Sequence, residues 1–216
     1  MGDIEVSNIL IVESENDKFF IEAIVASMNL PFEIEKPICQ IDEYECMGGI
    51  GKLKNKLKEL NSRILKGDEI YQVGIIVDAD NIGISKRKQD IETLILEIFP
   101  NNTLKFEIFI MNIDGKGELE TVLRKIKSNP SPIADCLEEW QKCLVQKKLS
   151  QKDFDKLWIQ IYQRYDCCSS KEKKQANRKC NNEVSLKEKQ IYNFNATIPE
   201  LDRLKSFLKK FKFQGE

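Results

Sequence analysis

Asp78 and Asp80 stand one residue apart where the apolar run Val73–Val77 stops. A short apolar run of this kind reads as a strand buried on both faces. In extended chain the two carboxylates point to the same side, with Ala79 facing away. Carboxylates that close repel, and a cation or a shared proton relieves them. Hard oxygen ligands suit Mg2+ or Mn2+. Such an ion could activate water and neutralise charge on a transferring phosphoryl group. The rival explanation is structural, because Asp after a strand also caps helices and forms turns.

Other acidic residues repeat the placement. Glu13 follows the run Asn8–Val12, and Asp114, Glu118 and Glu120 follow Leu104–Met111. Open parallel sheets bind ligands beyond the C-terminal ends of their strands. If strands 8–12 and 73–77 are neighbours, Glu13, Asp78 and Asp80 converge. Asp17, Glu118 and Glu120 also have a plainer explanation, since the helix dipole favours acidic residues in a first turn. The chain contains no histidine. That excludes Ser-His-Asp and Cys-His triads and zinc centres built on histidine. Catalysis near neutral pH would fall to carboxylates with metal ions, to lysine, cysteine or tyrosine, or to bound water.

The elements that must position these groups can be read from periodicity and caps. Residues 8–12 form a strand, and apolar spacing predicts a helix over about 16–28, opened by a Ser14/Asp17 capping box. Pro31 closes it, and Phe32–Ile38 is a second strand. Met47-Gly-Gly-Ile-Gly51 is not a phosphate loop, because the pattern needs Gly where Cys46 stands and Ser or Thr where Leu53 stands. It reads as a turn before a helix over about 52–65. Strand 73–77, helix 86–98, strand 104–111 and a helix from Glu118 to Ile126 follow. Residues 133–165 read as helical, and 166–189 as an exposed or mobile connector. Thr197-Ile-Pro-Glu200 is a capping box that launches a last helix. Alternating strands and helices predict an α/β protein with a mainly parallel sheet flanked by helices. Residues 1–132 form this core, and residues 133–216 form a helical, basic extension packing on it.

The 216 residues carry a net charge of −1 that hides an asymmetry. Residues 1–144 sum to −9 and residues 145–216 to +8. Either the basic part docks on the acidic body, or it supplies phosphate contacts to nucleic acid. Seven cysteines without a CxxC pair or a secretory signal argue against a disulfide framework. Cys167, Cys168 and Cys180 as a metal set lack the usual paired spacing. No apolar stretch approaches the ~20 residues of a membrane span, and MGDIEVSN lacks a signal peptide's basic and apolar regions. A cytoplasmic protein without a membrane segment is expected.

Two motifs carry a family resemblance. Residues 9–20, ILIVESENDKFF, resemble the first motif of Toprim domains, and residues 74–81, GIIVDADN, resemble the second, a strand ending in DxD. Together with DGKGELETVL (114–123), they are similar to a Toprim-related group of bacterial proteins without an assigned activity. They are more distantly similar to the nuclease domains of overcoming-lysogenization-defect (OLD) proteins. The resemblance covers residues ~5–130, and YNFNATIPELDRLKSFL (192–208) is similar to that group's ending.

The resemblance implies a Toprim-like, Rossmann-like fold and a Mg2+-dependent nuclease acting on DNA or RNA, with Mn2+ as an alternative ion. It makes Glu13 a metal ligand or general acid/base and makes Asp78 and Asp80 the residues that hold Mg2+. Asp17 matches the acidic position after the first motif, and Glu118 or Glu120 completes a second metal site. Ser14 replaces the glycine usual in the family. Lys173, Lys174, Lys187 and Lys189 are candidates by region for the lysine of OLD-type nucleases. The same resemblance implies an alternative, a non-catalytic or conditionally active partner of an ABC-type ATPase, for instance in phage defence. The chain has no nucleotide-binding loop of its own, so the ATPase would be another polypeptide. A homo-oligomer is left open. No tyrosine-nucleophile domain and no zinc-binding primase module are evident.

Overall fold

The structure is a computed structural model that describes residues 7–30, 33–34, 38, 49–79, 82–101, 104–112 and 119–210. Asp80, Asp114 and Glu118 lie outside the described residues, as do Pro31, Phe32, Met47 and Gly48. The fold is α/β and Rossmann-like. Its sheet contains β1 (Ser7–Val12), β2 (Glu33–Ile34), β3 (Ile70–Asp78) and β4 (Lys105–Met111), all parallel, in the order β2-β1-β3-β4.

Period-two alternation divides the strand side chains between two cores. Leu10, Val12, Ile76 and Met111 point to one face, where α1 (Glu15–Ser27) covers them with Phe20, Ile21 and Ile24. Ile9, Ile11, Val73, Ile75, Val77 and Ile110 point to the other. There α2 (Gly49–Leu65) brings Leu53, Leu57 and Leu60, and α3 (Ile84–Ile98) brings Ile91. The strands are apolar on both sides because both sides are covered. Gly83, with φ +86°, opens α3 in a conformation that side-chain-bearing residues rarely adopt.

From β1 the chain moves outward to β2, then crosses back past β1 to β3 and on to β4. The direction of winding therefore reverses between β1 and β3. That reversal is the topological switch point, where parallel sheets leave a crevice at the strand ends.

Further helices follow, most of them joining the face already covered by α1. They are α4 (Leu119–Lys125), α5 (Pro132–Cys143), α6 (Gln151–Ile161), α7 (Ser170–Lys173), α8 (Ala176–Lys179), α9 (Asn182–Lys187) and α10 (Pro199–Leu208). Trp158, Tyr162, Leu186, Leu201, Leu204 and Leu208 share one core with Leu10 and Phe20. α10 packs on β4 through Phe207 and Phe109, whose rings lie 5.3 Å apart.

Three sequence expectations need correction. The Thr197/Glu200 capping box does not form, because α10 takes Ile198 as its N-cap with no side-chain cap hydrogen bond. The helix expected over 133–165 is broken. Gln141 holds the break, donating to Leu149 O at 3.0 Å and accepting from Leu149 N–H at 3.2 Å. Ser150 then caps α6 by accepting from Asp153 N–H at 3.1 Å. A π-helical turn, Tyr162–Asp166, follows α6. Its Asp166 carboxylate accepts from the Ile133 and Ala134 N–H groups at 3.0 and 2.9 Å, capping α5 from a distance in sequence. Residues 166–189 are not a bare connector either. They fold as α7, α8 and α9, with Val184, Ser185 and Leu186 buried and α9 against α1.

α6 is fixed to α4 by Asp155, which is fully buried. Asp155 pairs with Arg124 and accepts hydrogen bonds from Thr121 Oγ1 at 2.7 Å and Gln151 Nε2 at 2.9 Å. Arg124 also lies over the Phe154 and Trp158 rings. Removing one partner of such a pair leaves the other charge unanswered. Asp155→Ala should therefore cost about 3 kcal/mol, read as a lower denaturant midpoint with an unchanged slope.

Candidate functional site

β1 and β3 lie side by side with Val12 opposite Ile76. Glu13, one residue beyond β1, therefore reaches the end of β3. The Asp78 N–H donates to Glu13 Oε2 at 3.2 Å. Both side chains are half-buried. Glu13 and Asp78 thus meet at the switch point, whereas the placement of Asp80 and Glu118 lies outside the described residues.

A cleft of about 390 Å3 opens there. Its walls come from five places in the chain. Glu13 and Asp78 stand at the strand ends, Ser14, Asn16 and Asp17 at the start of α1, and Leu119, Glu120 and Leu123 on α4. Lys152, Lys156, Ile159 and Gln160 come from α6, and Asn182 and Leu186 from α9. Four carboxylates and two lysines line one concavity.

Asp17 belongs both to the helix and to the cleft. Its Oδ2 accepts from Ser14 N–H at 2.9 Å and from Ser14 Oγ–H at 2.6 Å, and its own N–H donates to Ser14 Oγ at 3.3 Å. This is the capping box expected from sequence. The carboxyl is also buried. Burial, reinforced by the charges of Glu13 and Glu120, pushes it up from 3.8 to about 7, although the Ser14 hydrogen bonds pull the other way. Burial beside the cleft, with two like charges as lesser causes, thus keeps a proton on this carboxyl up to near neutral pH.

The donor chemistry fits a hard divalent cation, because carboxylate oxygens are what Mg2+ and Mn2+ take. Among the described residues, however, no three acidic or cysteine side chains are grouped tightly enough to enclose an ion as they stand. The three cysteines considered as a metal set are divided. Cys168 is bridged to Cys180 as a disulfide, while Cys167 turns to Asn129 and Tyr162.

Lys152 and Lys156 were not among the lysines singled out by region. Those candidates stand elsewhere: Lys187 pairs with Glu22 and Glu183, Lys189 pairs with Glu172, and Lys173 lies over the Tyr165 ring. Lys187 and Lys189 border a separate groove of about 570 Å3 with Ala23, Tyr192 and Phe194. Two lysines four apart on an amphipathic helix, inside a basic stretch, are the signal that could have pointed to the cleft.

Residues 7–212 match the family described as "Protein of unknown function (DUF3226)". The chain belongs to that family. No curated protein and no solved structure matches it. The DUF3226 match runs from β1 past α10, so it takes in both the strand-end carboxylates and the helical wall carrying the lysines. No helix among the described residues is long and apolar enough to cross a membrane.

The Asp17 shift has a signed consequence for stability. Between about pH 4 and 7 the folded chain keeps a proton that the unfolded chain has lost. Its stabilising contribution is complete below about pH 4 and disappears as pH rises through 7. Asp17→Asn has no such titration. The stability advantage of the wild type over Asp17→Asn should therefore shrink by a few kcal/mol from pH 4 to pH 7, as read from urea midpoints at each pH.

Proposed function

We propose that the protein is a divalent-metal-dependent phosphodiester hydrolase of Toprim type acting on nucleic acid, with Mg2+ or Mn2+ as cofactor. The observation that supports this reading best is the cleft at the β1/β3 switch point, where Glu13, Asp17, Asp78 and Glu120 share one concavity with Lys152 and Lys156. Carboxylates alone would repel a phosphodiester, and lysines alone would bind one without reacting. Both together suit a substrate whose phosphate is shared between a cation and ammonium groups.

In this reading Glu13 and Asp78 hold the ion together with Asp80, while Asp17, Glu118 and Glu120 complete the acidic set. Bound there, a divalent ion would supply Lewis acidity toward a phosphoryl oxygen and toward the attacking water. The Asp78 backbone N–H fixes one oxygen of Glu13 and so orients its carboxylate. Lys152 and Lys156, one helical turn apart on α6, grip phosphate oxygens and set the direction in which the strand enters. Leu119, Leu123, Ile159 and Leu186 form the apolar part of the wall. They give one side of the cleft a less polar surface, while Lys152 and Gln160 stay exposed.

The test is cleavage of labelled single-stranded DNA and RNA by the purified chain with Mg2+ or Mn2+. Glu13→Gln and Asp78→Asn should each lower the rate by at least ~100-fold with circular dichroism unchanged. Cleavage that persists undiminished in an Asp78→Asn/Asp80→Asn double variant would end the assignment. Activity that arises only after an ATPase is added would move the protein to the partner-subunit reading. Independently of turnover, millimolar Mn2+ should raise the thermal midpoint by a few degrees in the wild type and not in the double variant.

A further inference from the structure

The disulfide between Cys168 and Cys180 sits directly upstream of one wall of the cleft. It closes a 12-residue separation that carries α7 and α8. Cys180 immediately precedes Asn181, whose Oδ1 accepts from Val184 N–H at 2.9 Å and caps α9. Asn182 follows, and its Nδ2 donates to Asn16 Oδ1 at 2.8 Å across to the first turn of α1. Asn16, Asn182 and Leu186 all line the cleft. At the far end of α9, Lys187 pairs with Glu22 on α1. A helix of six residues has no stability of its own. α9 keeps its place through its packing on α1 and through the tether at its start.

The bridge also has the surroundings of a reactive one. Cys168 is buried, whereas Cys180 is partly open to solvent. Lys189 Nζ lies 3.0 Å from Cys168 Sγ and is held there by Glu172 at 2.9 Å. A neighbouring ammonium stabilises a thiolate and makes it a better leaving group.

We propose that Cys168 and Cys180 form a thiol–disulfide exchange site for small thiols, poised by Lys189, whose state governs how firmly α9 closes the carboxylate cleft. An external thiolate attacks Cys180 Sγ. The Cys168–Cys180 bond breaks as the new sulfur–sulfur bond forms, and Cys168 leaves as a thiolate beside the Lys189 ammonium. A second external thiol then resolves the mixed disulfide, giving a Cys180 thiol and an oxidised small disulfide. The reverse sequence, with a small disulfide as oxidant, restores the bridge. In the chain-entropy account a cross-link of this span shifts the local folding equilibrium roughly a hundredfold, so the reduced segment opens far more often. The link to the cleft rests on the reading of that cleft as the functional site, whereas the exchange chemistry does not.

The experiment uses the full chain, without any activity assay. Hydrogen exchange followed by mass spectrometry is compared before and after reduction by dithiothreitol, with thiol alkylation read on peptides containing Cys168 and Cys180. Reduction should speed exchange of the α9 amides at least tenfold and leave β1 and β3 unchanged. Cys168→Ser/Cys180→Ser should show the fast α9 exchange without reductant and no response to it. Lys189→Gln should slow reduction roughly three- to tenfold, and Lys189→Arg should restore it. Equal α9 exchange in both redox states, or quantitative alkylation of both cysteines in air-oxidised protein, overturns the proposal. A chain that cleaves no nucleic acid yet shows redox-linked α9 exchange overturns the hydrolase reading alone.

Discussion

Parallel pairing of β1 with β3, with Val12 beside Ile76, puts two strand ends level and next to each other. Each strand is sealed between two apolar layers, so neither can slip by one residue without turning a core side chain to the wrong face. That rigidity is what holds Glu13 and Asp78 together. The Asp78 N–H, at the end of β3, donates to Glu13 Oε2. Because the winding reverses between these two strands, a crevice opens at their ends. The rest of the cleft is assembled around this fixed edge.

The opposite wall depends on a second buried charge. Asp155 faces away from the cleft into α4, where Arg124, Thr121 and Gln151 satisfy it. Lys152 and Lys156 lie three residues before it and one after it on the same helix, and both line the cleft. The clamp that secures α6 therefore also aims its lysines. It positions Glu120 too, since Glu120 adjoins Thr121 in the first turn of α4. The basic character of the C-terminal part turns out to serve two ends. Lys187 and Lys210 dock on the acidic body through Glu22 and Glu107, while Lys152 and Lys156 line the acidic cleft.

Asp17 shows the local cost of this arrangement. As the third residue of α1, completing the capping box of Ser14, it is well placed, with Ser14 bonded to it twice. As a buried carboxyl beside Glu13 and Glu120 it resists ionisation. A residue chosen only for stability would not stand there, because an uncharged cap would serve the helix equally well. Where local rules conflict in this way, function is the usual reason.

Much of the fold was legible in the linear chain. The apolar runs ending at Val12, Val77 and Met111 marked three strands, the first two of them buried, and the Ser14/Asp17 box marked the start of α1, because these signals depend on neighbours a few residues away. The acidic residues beyond the strands were visible for the same reason. Strand order was not, because nothing within a strand names its partner. Lys152, Lys156 and Asn182 reach the cleft only because α6 and α9 pack against α4 and α1, contacts between segments far apart in sequence. Residues 166–189 looked like a connector because their apolar side chains are few. The structure compensates with caps, a disulfide and one buried face on α9. The sequence by itself determined which residues could carry the chemistry and which elements would end beside them. Only the tertiary structure decided that β1 and β3 are neighbours and that the basic helices close over their ends, because those outcomes depend on which apolar faces bury each other.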